Sequence, residues 1–290
     1  MRARIAVVAA ALALFASRSA HATPRWVDRL LTLPGPIAGT VDLGGAIAHA
    51  DENIAPCGNC GFTGMGINVE GVLGIASRVD IGLRVGFRGF PDNLTPPINE
   101  GAVADADAYA RMYDQLAFSS DFGVYGNGAV TNPELRVRGR ILFVKRIFEL
   151  GVEGRGILPF YNGTTFTHIG GVPMALHLGR HVRFDFGGYV GTTFYGQPRG
   201  ALWSFHAPGA FWFQVHDRVF LGPMFALNWY SQNVYPSGNN PNWDFALGFG
   251  LGVSCARWLD FKLQLYFPHL DDGQPARYVG LGAGVGFYFN

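Results

Sequence analysis

The strongest constraint on this chain is a run of side chains with period two, Ser77-Arg78-Val79-Asp80-Ile81-Gly82-Leu83-Arg84-Val85-Gly86-Phe87. Extended backbone points successive side chains to opposite faces. Val79, Ile81, Leu83, Val85 and Phe87 therefore share one face, and Asp80, Gly82, Arg84 and Gly86 share the other. Four later stretches repeat the plan of an apolar run, a tight turn with a basic residue, and a second apolar run. They centre on Lys145-Arg146, Arg180-His181, Asp217-Arg218 and Arg257-Trp258. Each reads as a β-hairpin. One strand before the first hairpin (40–49) and one after the last (278–289) bring the expected count to twelve.

Alternation alone does not separate a soluble sheet from a membrane barrel, since each has one apolar face. Strand length, connection pattern and aromatic placement favour the barrel. The runs extend to roughly ten to twelve residues, against five or six in soluble sheets and nine to eleven in transmembrane strands. Connections alternate between tight turns and longer loops, as periplasmic turns and extracellular loops do. Aromatics gather where strands meet the longer loops: Phe87 and Phe90, Phe160 and Tyr161, Phe194 and Tyr195, Trp203, Trp229 and Tyr230, Trp243, Tyr266 and Phe267. That is the pattern of an interfacial girdle. Composition agrees: 49% hydrophobic and only 15% charged, with 41 Gly and 24 Phe, describes a surface that something apolar must cover.

The expected fold is thus all-β, a transmembrane antiparallel up-and-down barrel of about twelve strands over 40–290. Its strands put apolar residues toward lipid and Gly, Arg, Asp and Glu toward the lumen. Hydrocarbon leaves no solvent partner for a backbone N–H or C=O, so extended chain crosses it only as a closed barrel. Residues 1–22 read as a secretory signal peptide, with Arg2 and Arg4 before an apolar stretch and Ala20-His21-Ala22 as the cleavage site. Residues 23–39 read as a periplasmic N-terminal segment, with a short helix at Trp26-Val27-Asp28-Arg29-Leu30-Leu31 ended by Pro34-Gly35-Pro36. After the signal, no apolar run reaches the length of about 18 residues that a spanning helix needs. A formal net charge of +1 argues against a nucleic-acid partner held by bulk electrostatics.

In an exported chain, Cys57 and Cys60 most simply close a small disulfide in an exposed loop, and Cys255 reads as an apolar filler. The histidines are scattered, so neither a metal nor a cofactor is expected. Ser204 and His206 are the one local pair that two-residue spacing puts on the same lumen-facing row. The glycines at even positions from Gly248 to Gly252 and from Gly280 to Gly286 remove bulk from one side of the lumen, for an open passage or for a packed plug. Pro173 and Pro208 are expected at bulges or kinks.

Signal peptide, strand pattern and the aromatic last strand together resemble the Gram-negative outer-membrane β-barrel proteins. The likeness covers the whole mature chain at the level of architecture. It implies outer-membrane lipids as surroundings and the barrel-assembly machinery as a partner during insertion. That machinery reads a terminal aromatic; here Val285, Phe287 and Phe289 fit, and Asn290 follows them.

The densest charge cluster centres on the expected third to fifth strands: Arg84, Arg88, Arg136, Arg138, Arg140 and Arg155, with Glu70, Asp80, Glu149 and Glu153, all on the expected lumen face. A tight Lys145-Arg146 turn sets Arg138 opposite Glu153, and Arg140 a diagonal step from Glu149 and Glu153. Arg88, Arg136 and Arg155 have fewer partners in sequence and form a positive wall. A connection over 91–133, far longer than usual, starts and ends at this wall. Within 101–118, Tyr109, Met112, Tyr113 and Leu116 fall at helical spacing near Glu100, Asp105, Asp107 and Asp114. One reading folds this loop inward so that its carboxylates oppose the arginines in a constriction. The other is an extracellular helix beside a structural salt-bridge network. The expected function is a passive, porin-like channel for small polar or anionic solutes, without enzyme activity. The alternatives are a non-conducting structural or surface-interaction barrel and, further off, a lipid hydrolase of the kind the resemblance to twelve-stranded outer-membrane phospholipases would imply.

Overall fold

A computed structural model, which describes residues 25–50, 62–89, 133–158, 166–194, 201–231, 243–267 and 278–289, closes the chain into a barrel of twelve antiparallel strands. They are β1 (Gly39–Ala50), β2 (Phe62–Ala76), β3 (Val79–Gly89), β4 (Glu134–Val144), β5 (Phe148–Ile157), β6 (Thr167–Leu178), β7 (Val182–Phe194), β8 (Ala201–His216), β9 (Val219–Tyr230), β10 (Trp243–Ala256), β11 (Leu259–Phe267) and β12 (Tyr278–Phe289). Each pairs with its neighbours in sequence, and β1 pairs with β12 from Gly39↔Phe289 to Ala50↔Tyr278. Closure leaves no open edge.

Each strand presents the two faces its sequence dictates. On the outside, Leu83, Val137, Leu263 and Leu281 are at least half exposed, whereas Glu70, Asp80, Glu149 and Asp260 on the inside are almost wholly buried. That inversion of a soluble protein belongs to a chain whose outer surface meets hydrocarbon. At the loop-side rim, Trp203, Trp243 and Phe194 stand exposed, with ring pairs Phe166–Phe194 and Trp229–Trp243 each 6.4 Å apart.

Register shifts fall at Gly74/Ala76, Arg140/Leu142, Gln214/His216 and Ser254/Ala256, all beside tight turns. Pro173 and Pro208, by contrast, lie in unshifted register, opposite Gly187 and Ala226. The bulges therefore serve the strong twist at the hairpin ends rather than the prolines. The expected helix in 101–118, the carboxylates Glu100, Asp105, Asp107 and Asp114, and the Cys57–Cys60 disulfide lie outside the described residues.

Candidate functional site

Residues 25–38 do not stand clear of the barrel. They form a strap inside the turn-side end of the lumen, in contact with strand after strand around the wall. Only Trp26–Asp28 is helical, as one 3-10 turn. Its neighbour Arg29 closes the turn, and from there the chain bends through 31–35 to a second turn at Pro36-Ile37, closed by the Ala38 N–H on the Gly35 carbonyl.

The strap is fixed by its backbone as well as its side chains. The Val27 N–H donates to Gln214 Oε1 on β8 at 3.3 Å, and the Val27 carbonyl lies 2.8 Å from His177 Nδ1 on β6. Leu31 donates to Glu149 on β5 at 3.2 Å, and its carbonyl accepts from Arg138 on β4 at 3.0 Å. The Arg29 carbonyl accepts from Arg183 on β7, and Leu33 donates to Asp80 on β3 at 3.4 Å. Backbone outside regular structure in a buried place must find such partners, because an unpaired N–H or C=O there carries the full desolvation penalty. His177 faces the Val27 carbonyl with one nitrogen and Glu149 with the other, the second at 3.0 Å. Both contacts are hydrogen bonds together only when the ring carries both protons, since a carbonyl and a carboxylate donate nothing.

Side chains complete the closure. The Trp26 ring stacks on Phe220 with centroids 4.5 Å apart and meets Trp212 edge-on at 5.8 Å. Lys262 Nζ lies 5.0 Å from the same ring. The Arg29 guanidinium pairs with Asp260 and sits 4.1 Å from the centre of the Tyr288 ring. The lumen-facing glycines of β10 make this layer possible: a Cβ on Gly252 would come within 2.0 Å of the Phe220 ring, and one on Gly250 within 2.6 Å of Trp212. At these two positions the missing side chains serve close packing rather than open passage. Gly252→Leu must therefore push Phe220 out of the stack and cost about 1–3 kcal/mol. Gly154→Leu on the outer face, where a Cβ meets nothing within 4 Å, leaves stability unchanged; urea unfolding of the two variants in lipid distinguishes them.

Above the strap, Arg84, Arg136, Arg138, Arg140 and Arg155 each lie within ion-pair distance of a carboxylate. Arg138 faces Glu153 in register and bonds to it, and Arg140 reaches Glu149 at 3.1 Å. Arg136 and Arg155 lie directly opposite each other, a like-charge juxtaposition that is unfavourable by itself. Each is drawn to a carboxylate: Arg136 to Glu70 at 2.9 Å, across β3, and Arg155 to Glu153 at 2.6 Å and Glu134 at 3.7 Å. Gly82 lies beneath the first of these pairs, where a Cβ would be 3.4 Å from Arg136 Nε and 3.5 Å from Glu70 Oε1. Arg84 lies 3.8 Å from Glu134. The positive wall expected from Arg136 and Arg155 is thus a network of alternating charge. Glu70, Glu134 and Asp80 supply the balance, and sequence spacing had left Glu134 and Glu70 unassigned to any arginine. Arg88 stands opposite Gly66 in the β2–β3 ladder, and its side chain lies outside the described residues.

Two further groups line the lumen. Tyr189 is buried, with Arg155 5.5 Å from its ring centre. Ser204 Oγ and His206 Nε2 lie 2.9 Å apart on the same inward row of β8. Among the described residues, no group of three or more His, Cys, Asp and Glu could hold a metal ion.

A closed barrel with apolar residues outside and ion pairs inside is a membrane-spanning β-barrel. Solved structures of that class share its fold. A NanC porin superposes with a TM-score of 0.56 at 9% identity, over 85% of this chain and 98% of that one. The COG4313 outer-membrane channel from Pseudomonas putida F1 gives 0.58 at 11%, over 93% and 100%. A KdgM porin in complex with disordered oligogalacturonate gives 0.53 at 8%, over 87% and 99%. No protein-family model matches the sequence. No curated protein matches it either.

Proposed function

We propose that this protein is a porin-like channel of the outer membrane, passing small polar or anionic solutes and narrowed at its turn-side end by its own N-terminal strap. The observation that carries the reading is the lumen wall itself: an ion-paired network on β2–β5 faces a passage enclosed on all sides by strands. A barrel with only a structural role has no need to bury so many charges, whose desolvation roughly cancels their attraction. Because the guanidiniums are matched by carboxylates, the wall favours polar solutes and anions that exchange into existing pairs over selection by bulk positive potential. Likeness to solved porins and channels supports the same class. The loop over 91–133 is the second proposed constriction, through Glu100, Asp105, Asp107 and Asp114.

Single-channel recording of the purified, refolded mature chain in planar bilayers tests this, beside a version lacking 101–118. Discrete steps with weak ion preference, enlarged by the deletion, are expected. A barrel that is folded by heat-modifiable gel mobility yet electrically silent in both forms, and silent again when the strap is replaced, would leave the non-conducting alternative.

A further inference from the structure

We propose that the turn-side rim of the barrel is a binding surface for the phosphates of anionic phospholipids in the leaflet that borders it. The proposal rests on the membrane-spanning fold and not on conduction, so an electrically silent barrel leaves it standing.

Lys and Arg make up 22 of 290 residues, yet every tight turn of the five hairpins contains at least one. Arg78 lies between β2 and β3, Lys145 and Arg146 between β4 and β5, Arg180 between β6 and β7, and Arg218 between β8 and β9. All five are exposed. The lumen network does not use them: among the described residues none of these five side chains forms an ion pair. Arg257, in the fifth turn, is half-buried and stands apart from the set. One carboxylate, Asp217, shares the rim. Five exposed cations against one anion make a positive ring on a chain whose net charge is +1.

The level of the ring in the membrane follows from its neighbours. Ile75, Leu178 and Val215 point outward within two residues of the turns and are each about half exposed, at 53%, 49% and 59%. Side chains of that kind need hydrocarbon around them, so the apolar band reaches almost to the turns. The cations then lie where hydrocarbon gives way to headgroups. Long basic side chains rooted at that boundary extend their heads to the phosphate level while their stems stay in apolar surroundings. A guanidinium there makes paired, charge-assisted hydrogen bonds to phosphate oxygens, which a soluble barrel's turns would have no partner for. Short turns of bacterial barrels face the periplasm, which makes the ligand the phospholipid of that leaflet.

The test compares the intact chain in phosphatidylcholine vesicles with and without phosphatidylglycerol, reading the temperature midpoint of the heat-modifiable gel shift. Phosphatidylglycerol should raise the midpoint of the native chain. It should not raise that of a variant carrying Arg78→Gln, Lys145→Gln, Arg180→Gln and Arg218→Gln. Lysine at Arg78, Arg180 and Arg218 should retain most of the shift. Should the glutamine variant not insert, the native chain decides alone: added NaCl must abolish its phosphatidylglycerol shift. A midpoint indifferent to phosphatidylglycerol, a shift that survives in the glutamine variant or in salt, or an equal shift from inorganic phosphate at matched ionic strength would overturn the proposal, the last by showing a site for free anions.

Discussion

Replacing residues 25–36 by a Gly/Ser chain of equal length will raise single-channel conductance several-fold over that of the native chain. The strap occupies the turn-side end of the lumen, where it bonds to β3 through β8 by its backbone and covers β9, β11 and β12 through Trp26 and Arg29. A Gly/Ser segment lacks the ring that stacks between Phe220 and Trp212 and the cation that meets Asp260, so nothing holds it across the opening. The barrel itself remains, because its ladders do not pass through the strap. Heat-modifiable mobility establishes that the replaced form is folded before it is recorded. Conductance equal to that of the native chain in a folded variant would show that ions do not pass through the mouth the strap fills.

Glu153→Gln carries the largest expected loss of stability, about 3–5 kcal/mol. Its side chain is fully buried and serves two arginines, Arg138 and Arg155. Neutralising it leaves Arg138 buried without its carboxylate and leaves Arg155 with Glu134 alone, at 3.7 Å. The cost belongs to the stranded cation more than to the lost bond, so removing the cation as well should recover part of it. Arg138→Met together with Glu153→Met is accordingly expected to be more stable than Glu153→Gln alone, measured by urea unfolding in lipid. Equal or lower stability of the double variant would mean that the network contributes by geometry rather than by charge balance.

The barrel was legible in the sequence because its physics is local. Each strand's two faces are written in alternate residues, and each hairpin is written in its turn, so strand count and sidedness follow without any distant contact. Pairs across one turn were legible for the same reason: the Lys145-Arg146 turn alone puts Arg138 beside Glu153. The wall's charge balance was not, since Arg136 finds Glu70 two strands away over Gly82. Least legible was the strap. Trp26, Val27 and Leu31 are apolar residues without period two, and no local rule says that the rings meeting Trp26 come from β8 and β9. The one signal was their presence, a Trp and several aliphatics in a segment otherwise read as solvated. The glycines of β10 carried the complementary signal, an empty strip whose occupant the sequence did not name.

The strap also fixes an order of assembly. Val27 bonds to Gln214, 187 residues further along, and Arg29 meets Asp260 on β11 and Tyr288 on the closing strand. A segment that precedes every strand thus has its full set of partners only once the last strand is in place. Contacts at such separation form late, since they require most of the chain's entropy to be surrendered beforehand. Full seating of the strap therefore requires a complete wall. A half-zipped barrel, with β12 still free, has no complete socket to receive it, so an occupied mouth certifies a finished wall.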